Sequence, residues 1–282
     1  MDEVPQPAPT LEATAAARGE LACLDGESAP SAETMIPVTD EGLLRGDGVF
    51  EVIRVYDGRP FALGEHLDRL ERSAANLRLP YPMPRETLER EVPMLVERRG
   101  GASFDGIVRI VLTAGGRRIV MTEPLPPSPE HVRLGFVTYA PTRVLDGIKS
   151  LSYAGNMLAS RIARERGFDE ALLVTPHGRV LEAPTSSLFY VAEDGALCTP
   201  PLDEHILASI TRDVVVRLAG AEERSVDRDG LLATREAFIA STTREVQPVA
   251  AIEDRTLAAP GERTRAAAAV VRGHIEAALG RG

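Results

Sequence analysis

Gly46-Asp47-Gly48-Val49-Phe50-Glu51-Val52-Ile53-Arg54-Val55-Tyr56-Asp57-Gly58 is the stretch from which the fold is read. Residues 49–56 alternate in part and are rich in β-branched and aromatic side chains, which predicts a strand. Asp57-Gly58 makes a tight turn, and residues 60–63 are expected to return as a second strand. Downstream, Leu67, Leu70, Ala74 and Leu77 recur at helical spacing, predicting an amphipathic helix over 65–77 that Pro80 stops. Residues 84–99 read as a second helix, 107–113 (IVRIVLT) as a central strand, 121–129 (MTEPLPPSP) as a proline-rich loop and 132–139 as a further strand. Strands with attached helices make an α+β or α/β pattern. The second half repeats the class. A helix over 152–166 ends at Gly167, strands at 170–174 and 188–191 flank the turn Pro176-His177-Gly178, and a helix over 206–218 ends at Gly220. A strand over 236–241 and a terminal helix over 263–279 follow. Residues 1–20, rich in Pro, Ala and Glu without a period, read as a disordered tail. The organisation is then a first domain over 21–138, a join at 139–145 and a second domain over 146–282.

The chain has 282 residues, a net charge of -10 and an ordinary 44% of hydrophobic residues, long enough for a sizeable core. An acidic surface repels a phosphate backbone, which disfavours nucleic acid as the partner. Two cysteines, Cys23 and Cys198, make neither a disulfide framework nor a zinc site, and no metal spacing is visible among the five histidines. No apolar run approaches the length of a membrane span, and the first twenty residues lack the pattern of a secretory signal. A cytoplasmic protein is expected.

Of 32 basic residues, the only lysine is Lys149. A GC-rich coding sequence explains most of an arginine bias, but it leaves the last lysine unexplained. Lysine can become a neutral amine and attack a carbonyl, which arginine cannot. Other stretches can hold an anion: Ile210-Thr211-Arg212 at a helix start, Ser241-Thr242-Thr243 after a strand, and Arg69 on the helix after the first hairpin. Singly, each also fits an ordinary cap or a surface charge. Glu182, in Val180-Leu181-Glu182-Ala183-Pro184, gains a purpose only if a protonated ring nitrogen needs a partner.

Together these segments resemble the class IV pyridoxal-phosphate enzymes of fold type IV, which include branched-chain aminotransferases, D-amino-acid aminotransferases and 4-amino-4-deoxychorismate lyases. The resemblance runs from about residue 33 to 255. It is carried by Arg45 to Glu51, Glu65-His66-Leu67-Asp68-Arg69-Leu70, Ile148-Lys149-Ser150-Leu151-Ser152-Tyr153, Gly167-Phe168-Asp169-Glu170-Ala171, Gly178-Arg179-Val180-Leu181-Glu182, Ile210-Thr211-Arg212 and Ser241 to Val249. It implies a smaller N-terminal α/β domain and a larger C-terminal domain with a barrel-like sheet that binds pyridoxal 5′-phosphate. Lys149 would form the Schiff base and shuttle the proton, Glu182 would pair with the pyridine nitrogen, and Arg69, Ile210, Thr211 and Thr242 would hold the phosphate. Tyr153 would stand near the ring hydroxyl. Ser187 replaces the family's usual asparagine after the glutamate, and Ala208-Ser209 precedes Ile210 where a glycine is usual.

For substrate, the resemblance points to Phe50, to Arg109 on the pocket strand, to Arg117 or Arg118 after Gly115-Gly116, and to Thr242 and Thr243 for a carboxylate. The expected activity is transfer of an amino group between an amino acid, branched-chain or D, and a 2-keto acid by a ping-pong scheme. The alternative is the lyase that releases pyruvate and p-aminobenzoate. Family members are at least homodimers, so a homodimer is expected.

Overall fold

The computed structural model describes residues 19–80 and 82–280. The expected tail falls largely on residues 1–18, outside the described residues. The chain begins with the hairpin β1 (Leu21–Leu24) and β2 (Glu27–Pro30), followed by the short helix α1 (Glu41–Arg45). Gly46 caps that helix in the left-handed conformation, and Gly48 opens β3 (Gly48–Tyr56). A Cβ at Gly48 would stand 2.5 Å from the carbonyl oxygen of Leu112, so only glycine lets the strands approach there.

β3 pairs over its length with β5 (Gly106–Thr113). Strand alternation then sorts its residues. Val49, Ile53 and Val55 join a core with Val108, Ile110 and Leu112, covered by α2 (Leu63–Asn76) and α3 (Arg85–Arg99). Helix α2 buries His66, Leu67, Leu70, Ser73 and Ala74 on one stripe, and each fully buried leucine contributes about 2 kcal/mol by removal from water. Phe50 and Val52 face the other way, with Val111, Ile119 and Met121. That second face becomes a wall of the site.

Two expectations about this sheet change. Only β4 (Arg59–Pro60) returns on β3, because Ala62 turns into the left-handed region and α2 starts at Leu63. The segment expected as a loop over 121–129 begins as strand: β6 (Arg118–Pro124) makes a hairpin with β5 across Gly115-Gly116. Its prolines cluster only from Pro124 onward, so pairing continues up to that point. The order of the six-stranded sheet is β2-β1-β6-β5-β3-β4.

The second sheet contains β7 (Val132–Thr138), β8 (Glu170–Val174), β9 (Ser187–Val191), β10 (Leu197–Thr199), β11 (Glu222–Glu223), β12 (Ala237–Ser241), β13 (Glu245–Ile252) and β14 (Arg255–Thr256), in the order β11-β10-β9-β12-β13-β7-β8 with β14 on β13. This is the curled, barrel-like sheet that the resemblance implies for the larger domain. β7 pairs with β8 and β13, so it belongs here and not to the first domain. The chain passes between sheets at residues 125–131, ahead of the expected join at 139–145. Strand β13, a segment to which the sequence assigns no element, is recruited between β12 and β7 by pairing with both. Around the sheet lie α4 (Ala154–Glu165), α5 (Ile210–Ala219), α6 (Arg228–Leu232) and α7 (Glu262–Ala278). Helix α5 starts later than expected because the Ser209 side chain accepts from Arg212 N and caps it, leaving 206–209 as a loop.

Candidate active site

Lys149 is placed by its own backbone. After β7 the chain returns to the first sheet, where Ser150 bridges to Val49. Phe50 N donates to Lys149 O at 3.0 Å and Leu151 N to Gly48 O at 2.8 Å. Lys149 N in turn donates to Ser73 Oγ on α2 at 3.1 Å. Three contacts thus fix the residue at the seam between the two sheets. Its Nζ lies 4.3 Å from the ring centre of Phe50 and 5.9 Å from that of Tyr153. These rings meet edge to face at 5.4 Å and form an apolar wall around the amine.

Lys149 opens into a cavity of about 360 Å³. Phe50, Arg69, Arg109, Tyr153, Glu182, Thr242 and Thr243, all singled out in the sequence, line the same cavity. Ile210 and Thr211 line a small adjoining cavity that they share with Thr242 and Ser241. There the N-terminal N–H groups of α5 converge with the turn after β12, a surface suited to an anion. Arg117 and Arg118 do not reach either cavity. Arg117 pairs with Asp25 at 2.7 Å, and the Arg118 guanidinium is held by both oxygens of Glu91 on α3 at 2.8 Å.

Burial moves the two central titratable groups toward neutrality. Removal from water lowers the Lys149 amine to about 8, against the attraction of Glu51 and Glu182 and with help from Arg69 and Arg109. Removal from water raises the Glu182 carboxyl to about 7, although Leu207 N donates to its Oε1 at 2.9 Å. A cation brought beside Glu182 would restore its charge. The Tyr153 hydroxyl, also raised by burial, donates to Pro184 O at 2.7 Å, and Asn156 Nδ2 donates to the same oxygen.

The lowered amine makes a pH prediction. Only the neutral amine attacks an aldehyde. With a pKa near 8, trapping of a small aldehyde at Lys149, read by mass after borohydride reduction, should rise roughly fivefold from pH 7 to 8 and under about twofold from pH 8 to 9. A gain of about tenfold per unit continuing to pH 10 would show an unshifted lysine.

Several residues at the site have no role in the sequence reading. Glu51 is fully buried and takes two hydrogen bonds from Arg69, at 2.6 and 2.7 Å, and one from His66 Nδ1 at 2.7 Å. Its burial alone would raise the carboxyl, yet these partners hold it at about 2. Burial keeps His66 neutral, so its proton sits on Nδ1 toward Glu51. The signal was present in the strand: Glu51 occupies the same inward alternation as Val49 and Ile53. Arg244 also lines the cavity, hydrogen-bonded to Glu170 at 2.5 Å. Glu123, on β6, accepts from Arg109 Nε at 2.5 Å and from its Nη2 at 3.0 Å. Finding that pair requires the β5–β6 register.

Known proteins resemble this chain over most of its length. The family model described as amino-transferase class IV matches residues 48–252. The chain is 34% identical over 258 residues to a Methanocaldococcus jannaschii protein described as a branched-chain-amino-acid aminotransferase, covering 83% of this chain and 88% of that one. It is 33% identical over 262 residues to the D-alanine aminotransferase of Bacillus licheniformis, covering 86% and 92%. The branched-chain aminotransferase of Thermoproteus uzoniensis, solved with norvaline, superposes with a TM-score of 0.83 at 30% identity, over 93% of this chain and 95% of that one.

Proposed function

The chain belongs to the class IV aminotransferase family, whose members depend on pyridoxal 5′-phosphate, and from that premise we propose that it is a ping-pong transaminase acting on a branched-chain or D-amino acid and a 2-keto acid. The observation that carries the reading is the single lysine, held near neutrality, sharing one cavity with a carboxyl held near neutrality and with Arg69, beside the N-terminus of α5.

The residues present suit the cofactor. The side-chain oxygens of Ser186 and Ser241 are buried at the cavity without a hydrogen-bond partner. Ile210, Thr211, Thr242 and Arg69 offer donors for its phosphate, Glu182 an acceptor for its ring nitrogen, Tyr153 a neighbour for its hydroxyl and Lys149 the amine for its aldehyde. When bound, the cofactor supplies an electron sink that acidifies the proton on the α-carbon of an attached amino acid.

The rest of the chemistry is this chain's own. Lys149 Nζ, neutral in about half of the molecules at pH 8, would accept the proton leaving the substrate α-carbon, give it up to the bound cofactor within the same half-reaction, and move a proton back onto an α-carbon in the opposite one. Phe50 and Tyr153 exclude water from the amine on one side. The backbone N–H groups of Thr242 and Thr243 orient the substrate carboxylate. Ionised Glu182 would keep the ring nitrogen protonated and so maintain the sink. The working form we propose is a cytoplasmic homodimer. Met35, Val38, Leu43 and Leu44, between 58% and 76% exposed, support an apolar contact face near the first sheet. Among the described residues no helix is long and apolar enough to cross a membrane.

The test is the visible absorption of the purified protein with pyridoxal 5′-phosphate, before and after single D- and L-amino acids. Bleaching of the cofactor band by one amino acid, restored by a keto acid, is the expected result and identifies the substrate and its hand. A loaded protein that no amino acid bleaches would overturn the transaminase reading and favour elimination of pyruvate from aminodeoxychorismate.

A further inference from the structure

Three arginines line the main cavity, and each is hydrogen-bonded to a carboxylate: Arg69 to Glu51, Arg244 to Glu170 and Arg109 to Glu123. The first carboxylate is sealed in the core and the second is nearly so. The third pair differs. Arg109 and Glu123 are 32% and 25% exposed and stand on adjacent strands, where Ile107 opposes Glu123 and Arg109 opposes Met121. The guanidinium faces the cavity and its charge reaches Lys149, while Glu123 grips its Nε and Nη2 from outside the cavity lining.

That arrangement bears on substrate choice. An arginine on the wall beside the reacting amine would attract a substrate whose side chain ends in a second carboxylate. Here a carboxylate of the protein already occupies two of the nitrogens. A second carboxylate reaching Arg109 would also come within a few ångströms of Glu123, and in a partly desolvated cavity their repulsion offsets much of the attraction. A neutral or apolar side chain meets no such opposition, and Phe50, Val52 and Ile107 on the same wall offer it apolar surface.

We propose that Glu123 is a specificity-determining positioning residue: by holding and neutralising Arg109 it biases the site toward substrates with uncharged side chains and against dicarboxylates. This rests on the cavity being the substrate site of the proposed transaminase. Glu123 touches neither cofactor nor reacting atoms and acts through Arg109.

Two readouts test it. The first is calorimetric binding of glutarate and of butyrate, a diacid and a monoacid, to the purified protein supplied with pyridoxal 5′-phosphate. The second is the rate at which glutamate and leucine of the active hand bleach the cofactor band. Glu123→Gln keeps the size and a hydrogen-bond acceptor but removes the charge. It should raise glutarate affinity and the glutamate-to-leucine rate ratio about tenfold, with butyrate and leucine changed less than about twofold. Glu123→Asp, which keeps the charge, should stay within about threefold of wild type. An unchanged ratio in Glu123→Gln, or equal shifts for glutarate and butyrate, overturns the proposal. If Glu123→Gln fails to fold, Arg109→Gln decides: glutarate affinity should fall by less than about threefold, and a loss of tenfold or more overturns the proposal. Absence of the cofactor band in the wild-type protein would sink the transaminase reading, whereas the glutarate-to-butyrate ratio would still judge the role of Glu123.

Discussion

Lys149→Ala should bring turnover down by at least ~10⁴-fold while leaving the fold intact, since proton transfer by a positioned group contributes 10²–10⁴ and loss of the attached amine adds to it. The side chain ends in the cavity, and what anchors the residue is backbone: Phe50 N to Lys149 O, and Lys149 N to Ser73 Oγ. Removing the amine therefore leaves the seam in place, and the melting temperature should move by only a few degrees. Lys149→Arg should be as inactive as the alanine variant, because a guanidinium does not deprotonate near pH 8. Single-turnover bleaching of the cofactor band is the measurement. Activity near the wild-type level in either variant would remove Lys149 from the chemistry and with it the proposed mechanism.

Glu51→Gln should cost stability and strengthen anion binding. The wild-type carboxylate is fully buried under α2 and is the counter-charge of Arg69, whose third nitrogen donates to Ala208 O at 3.2 Å. Its replacement leaves a buried guanidinium without a counter-charge, a change that costs about 3–5 kcal/mol. That is a large share of the 5–15 kcal/mol typical of a folded domain. The sign with pH follows from the lowered carboxyl. A group at about 2 when folded and near 4.5 when unfolded adds stability that is complete above pH 4.5 and is lost as pH falls toward 2. Chemical denaturation should accordingly show wild type losing about 3 kcal/mol between pH 5 and pH 2 from this group, with that loss absent in Glu51→Gln. Because Arg69 lines the cavity and is still held by Ala208 O, its uncompensated charge should strengthen binding of inorganic phosphate, measured by calorimetry. A variant as stable as wild type at pH 7, with the same acid limb, would show that Arg69 and His66 do not depend on Glu51.

The candidate site was legible to different depths. Lys149 stands out by composition, and the motifs around Arg69, Glu182 and Thr242 fall on its cavity, with Thr211 on the one adjoining it, because chemistry-bearing residue types at specific spacings are visible in short segments. Helices with a clear apolar stripe, such as α2, and β-branched runs, such as β5, were read within a few residues. Strands β6 and β13 were not. Their residues are ordinary until a neighbour supplies hydrogen-bond partners, and β13 pairs with one strand on each side.

What the sequence by itself determined was the class of the fold and the residues proposed to react, since periodicity and residue chemistry are properties of short segments. Only the tertiary structure decided how those groups are charged and which arginines face the cavity. Burial brings Lys149 to about 8 and Glu182 to about 7, and burial is a sum over segments far apart in the chain. Arg118 is turned away because Glu91 on α3 takes its guanidinium, and Arg109 faces the cavity because of the strand on which it alternates. Both are arginines of the same hairpin, alike in sequence. Their different fates follow from side-chain alternation and pairing register, which exist only once the sheet is assembled.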